Sequence, residues 1–364
     1  MKIQVTQENL SKAISAVARV AVSSRNPLPI LNNILLRTEN NRLTISATNL
    51  EIAITEHIGA KVTHEGAITV PAKLFQEFIS SLPSGTIDID TKEHKCTVAS
   101  GNYNSVINGM LADEFPVVPK IEKGTEIQIS SKELKKALQQ VVIAASTDDT
   151  RPVLTAVYIH THKGGLYFVA TDSYRLAEKR VMDCDAQLSL LVPSNALNDL
   201  LRIIGDVDEE VVMATDGQQV VFRVGESELV SRLIDGNYPD YRKLIPSTFV
   251  NTAKLPKDEF VNITKVSSLF ARESAGSITL KVDEVKKQLT IKSVASQLGE
   301  NTSSVEGEVE GDGDVTVNSR YLLDALNVMS VKTLTFSFSG KVEPCVLRSD
   351  ELTDYLHVVM PLKS

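Results

Sequence analysis

The chain has 364 residues, 42% of them hydrophobic, and a formal net charge of −8, the composition of an ordinary globular protein of two to three domains. No apolar run is long enough for a signal peptide or a bilayer-spanning helix, and the three cysteines lack metal-ligand spacing. These features predict a cytoplasmic protein with reduced thiols, and the negative charge, if evenly spread, argues against a nucleic-acid partner.

Similar segments recur along the chain about every 123 residues. The segment LTISATNLE begins at Leu43, LYFVATDSYR begins at Leu166 and LTIKSVASQ begins at Leu289, so successive starts are 123 residues apart. Helical segments recur at similar spacings and in the same order. This period predicts three domains, which we place at residues 1–122, 126–249 and 250–364.

Each repeat is predicted to contain two helices and about eight short strands. The first helix of the first repeat has apolar residues at helical spacing, including Leu10 and Ile14. The second helix is predicted to bury Leu74, Phe78 and Leu82. Short β-rich runs bounded by Gly, Asn and Asp lie between and after the helices. The fold class is therefore α+β, with helices packed on β-sheets.

Positive charge is concentrated on the polar faces of these predicted helices. Lys12 and Arg19 are seven residues apart and lie on one face, opposite the apolar residues. The matching helices contribute Lys73, Lys132, Lys135, Lys136, Arg202, Lys257, Lys265, Arg272 and Arg320. A basic face without interleaved aromatic residues predicts weak, salt-sensitive contact with phosphates of any sequence. The alternative for each helix is an ordinary solvated face.

The segment ATDSYRLA at 170–177 places four polar residues side by side. Its counterparts, ATNLEIA at 47–53 and SVASQLG at 293–299, lack the Tyr-Arg pair, so the fold does not require Tyr174 and Arg175. This predicts a binding role confined to the middle repeat. Catalysis with Asp172 as a base is less favoured, because no nucleophile–base pair, metal-ligand spacing or phosphate loop accompanies it. No cofactor and no metal is predicted, and the HTH segment at 160–162 is expected to be exposed.

Four segments in this order on a threefold repeat carry a family resemblance: RNPLPILNN, ATDSYRLA, LIDGNYPDYRKLIP and the terminal VVMPLKS. The chain resembles, from residue 1 to 364, the bacterial sliding clamp, the β subunit of DNA polymerase III. The resemblance implies a DNA-clamp fold and a head-to-tail homodimeric ring around duplex DNA, with helices lining the hole. It also implies a processivity factor without catalytic activity. The alternative is a threefold-repeat peptide-binding scaffold that does not encircle DNA.

The resemblance further implies one hydrophobic pocket per subunit, which binds short linear motifs of the replicative polymerase, the clamp loader and repair proteins. Thr171, Arg175 and Asn318 would form its rim, and Met360 would act as a gate. Tyr174 stands where His is common in the family, Ala275 replaces a bulky residue, and the ending PLKS differs from the usual Arg-containing tail. The implied pocket residues are Leu154, Thr171, Ser173, Tyr174, Arg175, Leu176, Pro239, Lys243, Leu244, Asn318, Tyr321, Val342, Val359, Met360, Pro361 and Leu362.

The resemblance also implies residues that contact DNA and residues that form the dimer interface, called the seam below. Arg25 occupies a loop position that contacts DNA in relatives, and Asp148 stands where relatives have a neutral polar contact. The seam is expected to join Ile107 of one subunit to Leu269 and Phe270 of the other. The implied DNA-binding residues are Lys12, Arg19, Arg25, Lys73, Lys132, Lys135, Lys136, Asp148, Arg202, Lys265 and Arg320.

Overall fold

Two α-helices and eight or nine β-strands recur in each third of the chain, within the residues that the computed structural model describes: 1–23, 28–119, 121, 124–205, 209–297 and 299–362. The first third contains β1 (Lys2–Thr6), α1 (Gln7–Ser23), β2 (Asn33–Glu39), β3 (Arg42–Thr48), β4 (Ile52–Gly59), β5 (Lys61–His64), β6 (Gly66–Pro71), α2 (Ala72–Ser81), β7 (Thr86–Lys92), β8 (Lys95–Ser100) and β9 (Tyr103–Asn108).

The middle and last thirds repeat this order of elements. The middle third contains β10 (Thr125–Ser130), α3 (Ser131–Val141), β11 (Ala156–His162), β12 (Gly165–Thr171), β13 (Arg175–Asp183), β14 (Ser189–Pro193), α4 (Ser194–Ile203), β15 (Glu210–Thr215), β16 (Gln219–Val224) and β17 (Ser227–Arg232). The last third contains β18 (Asn251–Pro256), α5 (Lys257–Phe270), β19 (Ser277–Asp283), β20 (Gln288–Ala295), β21 (Gly299–Glu306), β22 (Glu308–Glu310), β23 (Gly313–Asn318), α6 (Ser319–Val328), β24 (Thr333–Phe338), β25 (Cys345–Ser349) and β26 (Leu352–Val359).

Two of the sheets are continuous from one repeat into the next. In the eight-stranded sheet, β17 of the middle repeat pairs antiparallel with β4 of the first repeat. In the nine-stranded sheet, β13 of the middle repeat pairs antiparallel with β26 of the last repeat. The chain accordingly divides into two compact units, residues 1–134 with 195–233 and residues 135–194 with 234–364. Each unit gathers strands from two repeats.

The first helix of the first repeat follows its predicted amphipathic pattern. Leu10 and Ile14 are fully buried, while Lys12 and Arg19 on the opposite face are exposed. The helix packs on α2 and on strands β3 and β4. Burial of each large apolar side chain contributes about 1.5–3 kcal/mol, so the apolar stripe, and not intrinsic helix propensity, fixes the position of α1.

The predicted apolar face of α2 is confirmed at Leu82, which is buried at the C-terminal cap, but it is one residue off along the helix itself. Leu74 is 53% exposed and Phe78 is half-buried, while Phe75 and Ile79 are fully buried. Two apolar rows lie side by side on this helix, each at helical spacing, and packing selects the row of Phe75 and Ile79. The row of Leu74 and Phe78 is left partly open to solvent.

The HTH segment is also less exposed than predicted. His160 on β11 is buried, and its Nε2 lies 2.9 Å from the hydroxyl of Tyr241, which donates to Glu178 at 2.5 Å. Burial lowers the pKa of His160 to about 4. His162, two residues further on, is half-buried. The prediction failed because the connecting segment that contains Tyr241 crosses this face of the sheet.

The segments that connect the repeats pack on the sheets that the repeats share. Val118 and Ile121 pack against a buried cluster that includes Ala53 and Val230 in the eight-stranded sheet. The matching cluster in the nine-stranded sheet includes Tyr241 of the second connecting segment. Three further residues of that segment pack against the cluster: Tyr238, Ile245 and Phe249. These segments are therefore part of the folded units.

Candidate functional sites

Residues 171–175 form the tight turn between β12 and β13. The Thr171 hydroxyl donates to the Arg175 carbonyl at 2.7 Å and accepts from the Ser173 N–H at 3.2 Å. Asp172 Oδ1 accepts from the N–H groups of Tyr174 and Arg175, both at 2.9 Å. Thr171 and Asp172 therefore hold the backbone of the turn. Thr171 is also buried, so the structure does not place it on a binding rim as predicted.

The same turn occurs twice more among the residues that the structure describes. Thr48 with Asn49, and Thr215 with Asp216, make the equivalent four hydrogen bonds. The third residue of each turn has a left-handed backbone, with φ of 76° at Leu50, 77° at Ser173 and 88° at Gly217. The sequence signal is Ala-Thr followed by Asp or Asn, and it also stands at 214–216, outside the segments that the 123-residue period aligns. Because Asp172 serves this turn, it is a poor candidate for a catalytic base.

Tyr174 and Arg175 project beyond the turn and meet the last repeat. The Tyr174 side chain is 57% exposed, and its ring stacks on that of Tyr321 with centroids 6.4 Å apart. The Arg175 guanidinium lies 4.6 Å from the centre of the Tyr321 ring. Arg175 Nε donates to Asp172 Oδ2 at 3.0 Å, and Arg175 Nη1 donates to Asp324 Oδ2 at 2.5 Å. The middle repeat is thus joined to α6 by a cation–π contact and an ion pair.

The end of the chain passes directly beside this turn. Val359 on β26 pairs with Arg175 on β13, and the N–H of the following residue, Met360, donates to the Tyr174 carbonyl at 2.8 Å. Two residues later, the Leu362 N–H donates to the Thr316 carbonyl at 2.8 Å. Val359 is fully buried, whereas Met360 and Leu362 are half-buried. The resulting surface combines aromatic rings, a methionine and a paired arginine.

The other predicted pocket residues differ in what they offer a ligand. Leu154 and Leu176 are buried, so they support the surface from below. Asn318 caps α6, accepting from the Arg320 N–H at 2.9 Å and donating to the Ala275 carbonyl at 3.1 Å, which engages both ends of its amide. The remaining members are solvent-accessible to differing degrees: Ser173, Pro239, Lys243, Leu244, Val342 and Pro361.

The predicted DNA-binding residues are mostly exposed cations on helices. Lys135 and Lys136 are half-buried, and Arg25 lies outside the described residues. Asp148 does not fit this set: its carboxylate accepts from the Thr150 N–H at 3.0 Å, and hydrogen bonding to Thr150 lowers its pKa. A persistent anion repels phosphate, so we remove Asp148 from the set. The exposed members are Lys12, Arg19, Lys73, Lys132, Arg202, Lys265 and Arg320.

The predicted dimer seam needs one correction. Ile107 is only 6% exposed, because on β9 it points toward its own core, while its neighbour Val106 points outward and is 58% exposed. Leu269 on α5 is 51% exposed and Phe270 is half-buried, which leaves apolar surface at the end of this helix. The strand carrying Val106 lies at the edge of the five-stranded sheet, and β21 lies at the edge of the four-stranded sheet.

Comparisons with known proteins agree over the whole chain. Family models for the DNA polymerase III beta subunit match residues 1–119 (N-terminal domain), 128–240 (central domain) and 242–363 (C-terminal domain). The beta sliding clamp of Synechococcus elongatus is 30% identical over 373 residues, covering 100% of this chain and 99% of the relative. That of Bacillus subtilis is 30% identical over 378 residues, covering 100% of both chains.

Solved structures give the same result. The DNA polymerase sliding clamp from Bacillus subtilis has a TM-score of 0.95 and 28% identity, covering 100% of this chain and 99% of that one. A sliding clamp from Pseudomonas aeruginosa bound to griselimycin has a TM-score of 0.94 and 26% identity, covering 100% of both. With its threefold repeat, shared sheets and full-length matches, this chain belongs to the bacterial β sliding clamp family, the β subunit of DNA polymerase III.

Proposed function

We propose that two copies of this chain close head to tail into a ring around duplex DNA and act as a processivity factor of DNA replication. The observation that carries the proposal is the pairing of strands between repeats. β4 pairs with β17 and β13 pairs with β26, whereas the corresponding strands β21 and β9 lie at sheet edges. The two edges are complementary by the internal repeat, so β21 of one chain can pair with β9 of another.

The repeat also gives the register of this seam. Within the chain, Glu228 of β17 lies opposite Thr55 of β4. The equivalent residues are Asn104 on β9 and Thr302 on β21, from the strand pairings inside each repeat. Asn104 and Thr302 are both exposed in the single chain, as expected of residues on unpaired edge strands that would pair with a second chain. Val106, Leu269 and Phe270 then supply apolar contact, in place of the predicted Ile107.

Exposed lysines and arginines of the six helices would face the duplex. They are cations without a surrounding aromatic platform, which suits contact with phosphates in any sequence and permits sliding. The acidic remainder of the chain, which gives the net charge of −8, would disfavour binding of DNA from outside the ring. We keep residues 1–122, 126–249 and 250–364 as the three proposed domains of each subunit.

The surface around Tyr174, Arg175, Tyr321 and Met360 is the proposed binding site for short linear motifs of the replicative polymerase, the clamp loader and repair proteins. Only two or three partner side chains would be buried, and the cost of association offsets much of the free energy that their burial contributes, so binding is weak and reversible. Such affinity suits partners that exchange. The family match does not favour a scaffold that leaves DNA unbound.

We infer that the chain has no catalytic activity of its own and acts in the cytoplasm. Sliding clamps are non-enzymatic processivity factors, and Asp172 is engaged in a turn. In the described part of the chain, no helix is long and apolar enough to span a membrane.

Retention on circular DNA tests the proposal. The dimer is loaded on nicked circular plasmid, and its loss is followed before and after the plasmid is made linear. Retention on the circle and loss from the linear form are expected, because a ring leaves only over an end. Replacing Lys12, Lys132 and Lys136 by Glu should weaken salt-sensitive binding of the dimer to a short linear duplex, because these cations are proposed to contact phosphates. Replacing the exposed Lys61, Lys163 and Lys286 by Glu should weaken that binding much less. Equal retention on circular and linear plasmid would refute encirclement.

A further inference from the structure

A cleft of about 840 Å³ lies between α1 of the first repeat and α4 of the middle repeat, inside the first compact unit. Lys12 and Arg19 line it from α1, and Arg202 lines it from α4. Asp199, also on α4, lines the same cleft. The cations proposed to meet DNA phosphates therefore share one cleft with a carboxylate that competes for them.

Asp199 is placed to engage Arg202 one helical turn away. Arg202 Nη1 donates to Asp199 Oδ1 at 2.8 Å, and the Asp199 side chain is 18% exposed, against 54% for Arg202. Burial raises the pKa of Asp199, while the charges of Arg202 and Arg19 act in the opposite direction. The carboxylate is thus within electrostatic reach of both arginines.

Glu56 is a second carboxylate in the cleft that also contains Lys12. It lies on β4, lines the same cleft, and accepts a hydrogen bond from the Ser227 hydroxyl at 2.6 Å. Burial raises the pKa of Glu56, and the charge of Lys12 opposes the shift. Two partly buried carboxylates on different elements therefore face the same group of cations.

We propose that Asp199 and Glu56 limit the affinity of this wall for DNA by competing with phosphates for Arg202, Arg19 and Lys12. This inference rests on the proposed function. Each phosphate contact adds about 0.9 to the slope of log affinity against log salt, because it releases counterions. A cation already held by a carboxylate makes a weaker phosphate contact. Weak contacts break readily at each step along the duplex, which favours sliding.

The test uses variants of the full-length dimer in which one carboxylate is replaced by the corresponding uncharged amide. Asp199→Asn removes the competing charge, and equilibrium binding to a short linear duplex over a salt series should give a slope steeper by about 0.9. Diffusion along stretched DNA, followed by single-molecule imaging, should be slower. Glu56→Gln, which keeps an acceptor for Ser227, should act in the same direction. Asp183→Asn removes the same charge from another i,i+3 pair, with Arg180, and should change neither measurement.

The outcomes separate this inference from the proposed function. Suppose that the wild type is retained on circular DNA, while the variants keep the wild-type salt slope and the wild-type diffusion rate along DNA. This result would overturn the inference but not the proposed ring. Absence of any difference between circular and linear DNA for the wild type would overturn both. Should Asp199→Asn fail to fold, as judged by thermal melting, Glu56→Gln decides alone.

Discussion

Arg175 on β13 and Asp324 on α6 form an ion pair of 2.5 Å that joins the middle repeat to the last repeat. The Arg175 side chain is 11% exposed and that of Asp324 is 32% exposed. Because the two residues come from different repeats, the pair sets the spacing between the two walls of the proposed peptide site.

Replacing Asp324 by Asn should weaken peptide binding several-fold and leave the dimer intact. Loss of a partly buried ion pair loosens the arginine that lies over Tyr321, at a cost of about 1 kcal/mol. Fluorescence anisotropy with a labelled clamp-binding peptide of the replicative polymerase measures the affinity. Asp183→Asn, which removes the more exposed pair with Arg180, is the matched control. Affinity equal to that of this control would show that the ion pair does not shape the site.

The backbone of the turn at residues 171–175 should tolerate Asp172→Asn but not Asp172→Ala. Asn keeps the acceptor for two backbone N–H groups, as Asn49 does in the first repeat, whereas Ala leaves them without that partner at a cost of about 1–2 kcal/mol. Hydrogen exchange at the amides of Tyr174 and Arg175 reports this locally. We expect near-normal protection in Asp172→Asn and faster exchange in Asp172→Ala. Equal protection in both variants would contradict the role assigned to the carboxylate.

Cysteine pairs should test the seam register directly. In a Cys184→Ser background, Asn104→Cys combined with Thr302→Cys should form disulfides between chains under mild oxidation. Directly opposed residues of antiparallel strands have the Cα separation that a disulfide needs. Asn104→Cys with Ser303→Cys places the thiols on opposite faces and should not cross-link. Non-reducing electrophoresis distinguishes them, and the reverse pattern would mean a seam shifted by one residue.

Stability should fall as the pH drops from about 6.5 toward 4. Burial lowers the pKa of His160 to about 4 and that of His357 to about 3, whereas unfolded histidine titrates near 6.5. Below pH 6.5 the unfolded chain therefore binds protons that the folded chain does not, which costs up to about 1.4 kcal/mol per pH unit for each group. Denaturant midpoints at pH 7, 5.5 and 4.5 measure the effect.

Removal of one buried histidine should flatten this dependence. His160→Phe keeps an aromatic ring beside Tyr167 but cannot take up a proton, so its midpoint should fall less between pH 6.5 and 4.5. His64→Gln, at an exposed position, should follow the wild type. An identical pH dependence in His160→Phe and wild type would exclude His160 as a source of acid sensitivity.

Much of the fold could be predicted from the sequence, because a 123-residue period and helical apolar spacing are local patterns. The errors arose where the decision depended on tertiary packing. Spacing alone could not choose between Leu74 and Phe75 on α2, and it could not reveal which face of β9 carried Ile107. The burial of His160 depended on a connecting segment about 80 residues away in sequence.

The residues of the candidate peptide site could be predicted from the sequence, but the separate role of each residue could not. Internal comparison separated Tyr174 and Arg175 from the fold-keeping Thr171, because only the latter recurs. It could not show that Arg175 is already engaged by Asp324, since ion pairs between distant residues leave no local signal. The third copy of the turn, at 214–216, does carry a local signal, because Ala-Thr-Asp is repeated there and Gly217 stands in the place of Ser173.

Continuity of β17 with β4 and of β13 with β26 has a consequence for dissecting the molecule. If a single repeat were expressed without its neighbours, the strand that normally pairs with the next repeat would have unpaired backbone N–H and C=O groups. The repeat would also lose the connecting segment that covers the outer face of its sheet. Such a fragment should aggregate or stay unfolded. The 123-residue sequence repeat is therefore not expected to be an independently folding unit.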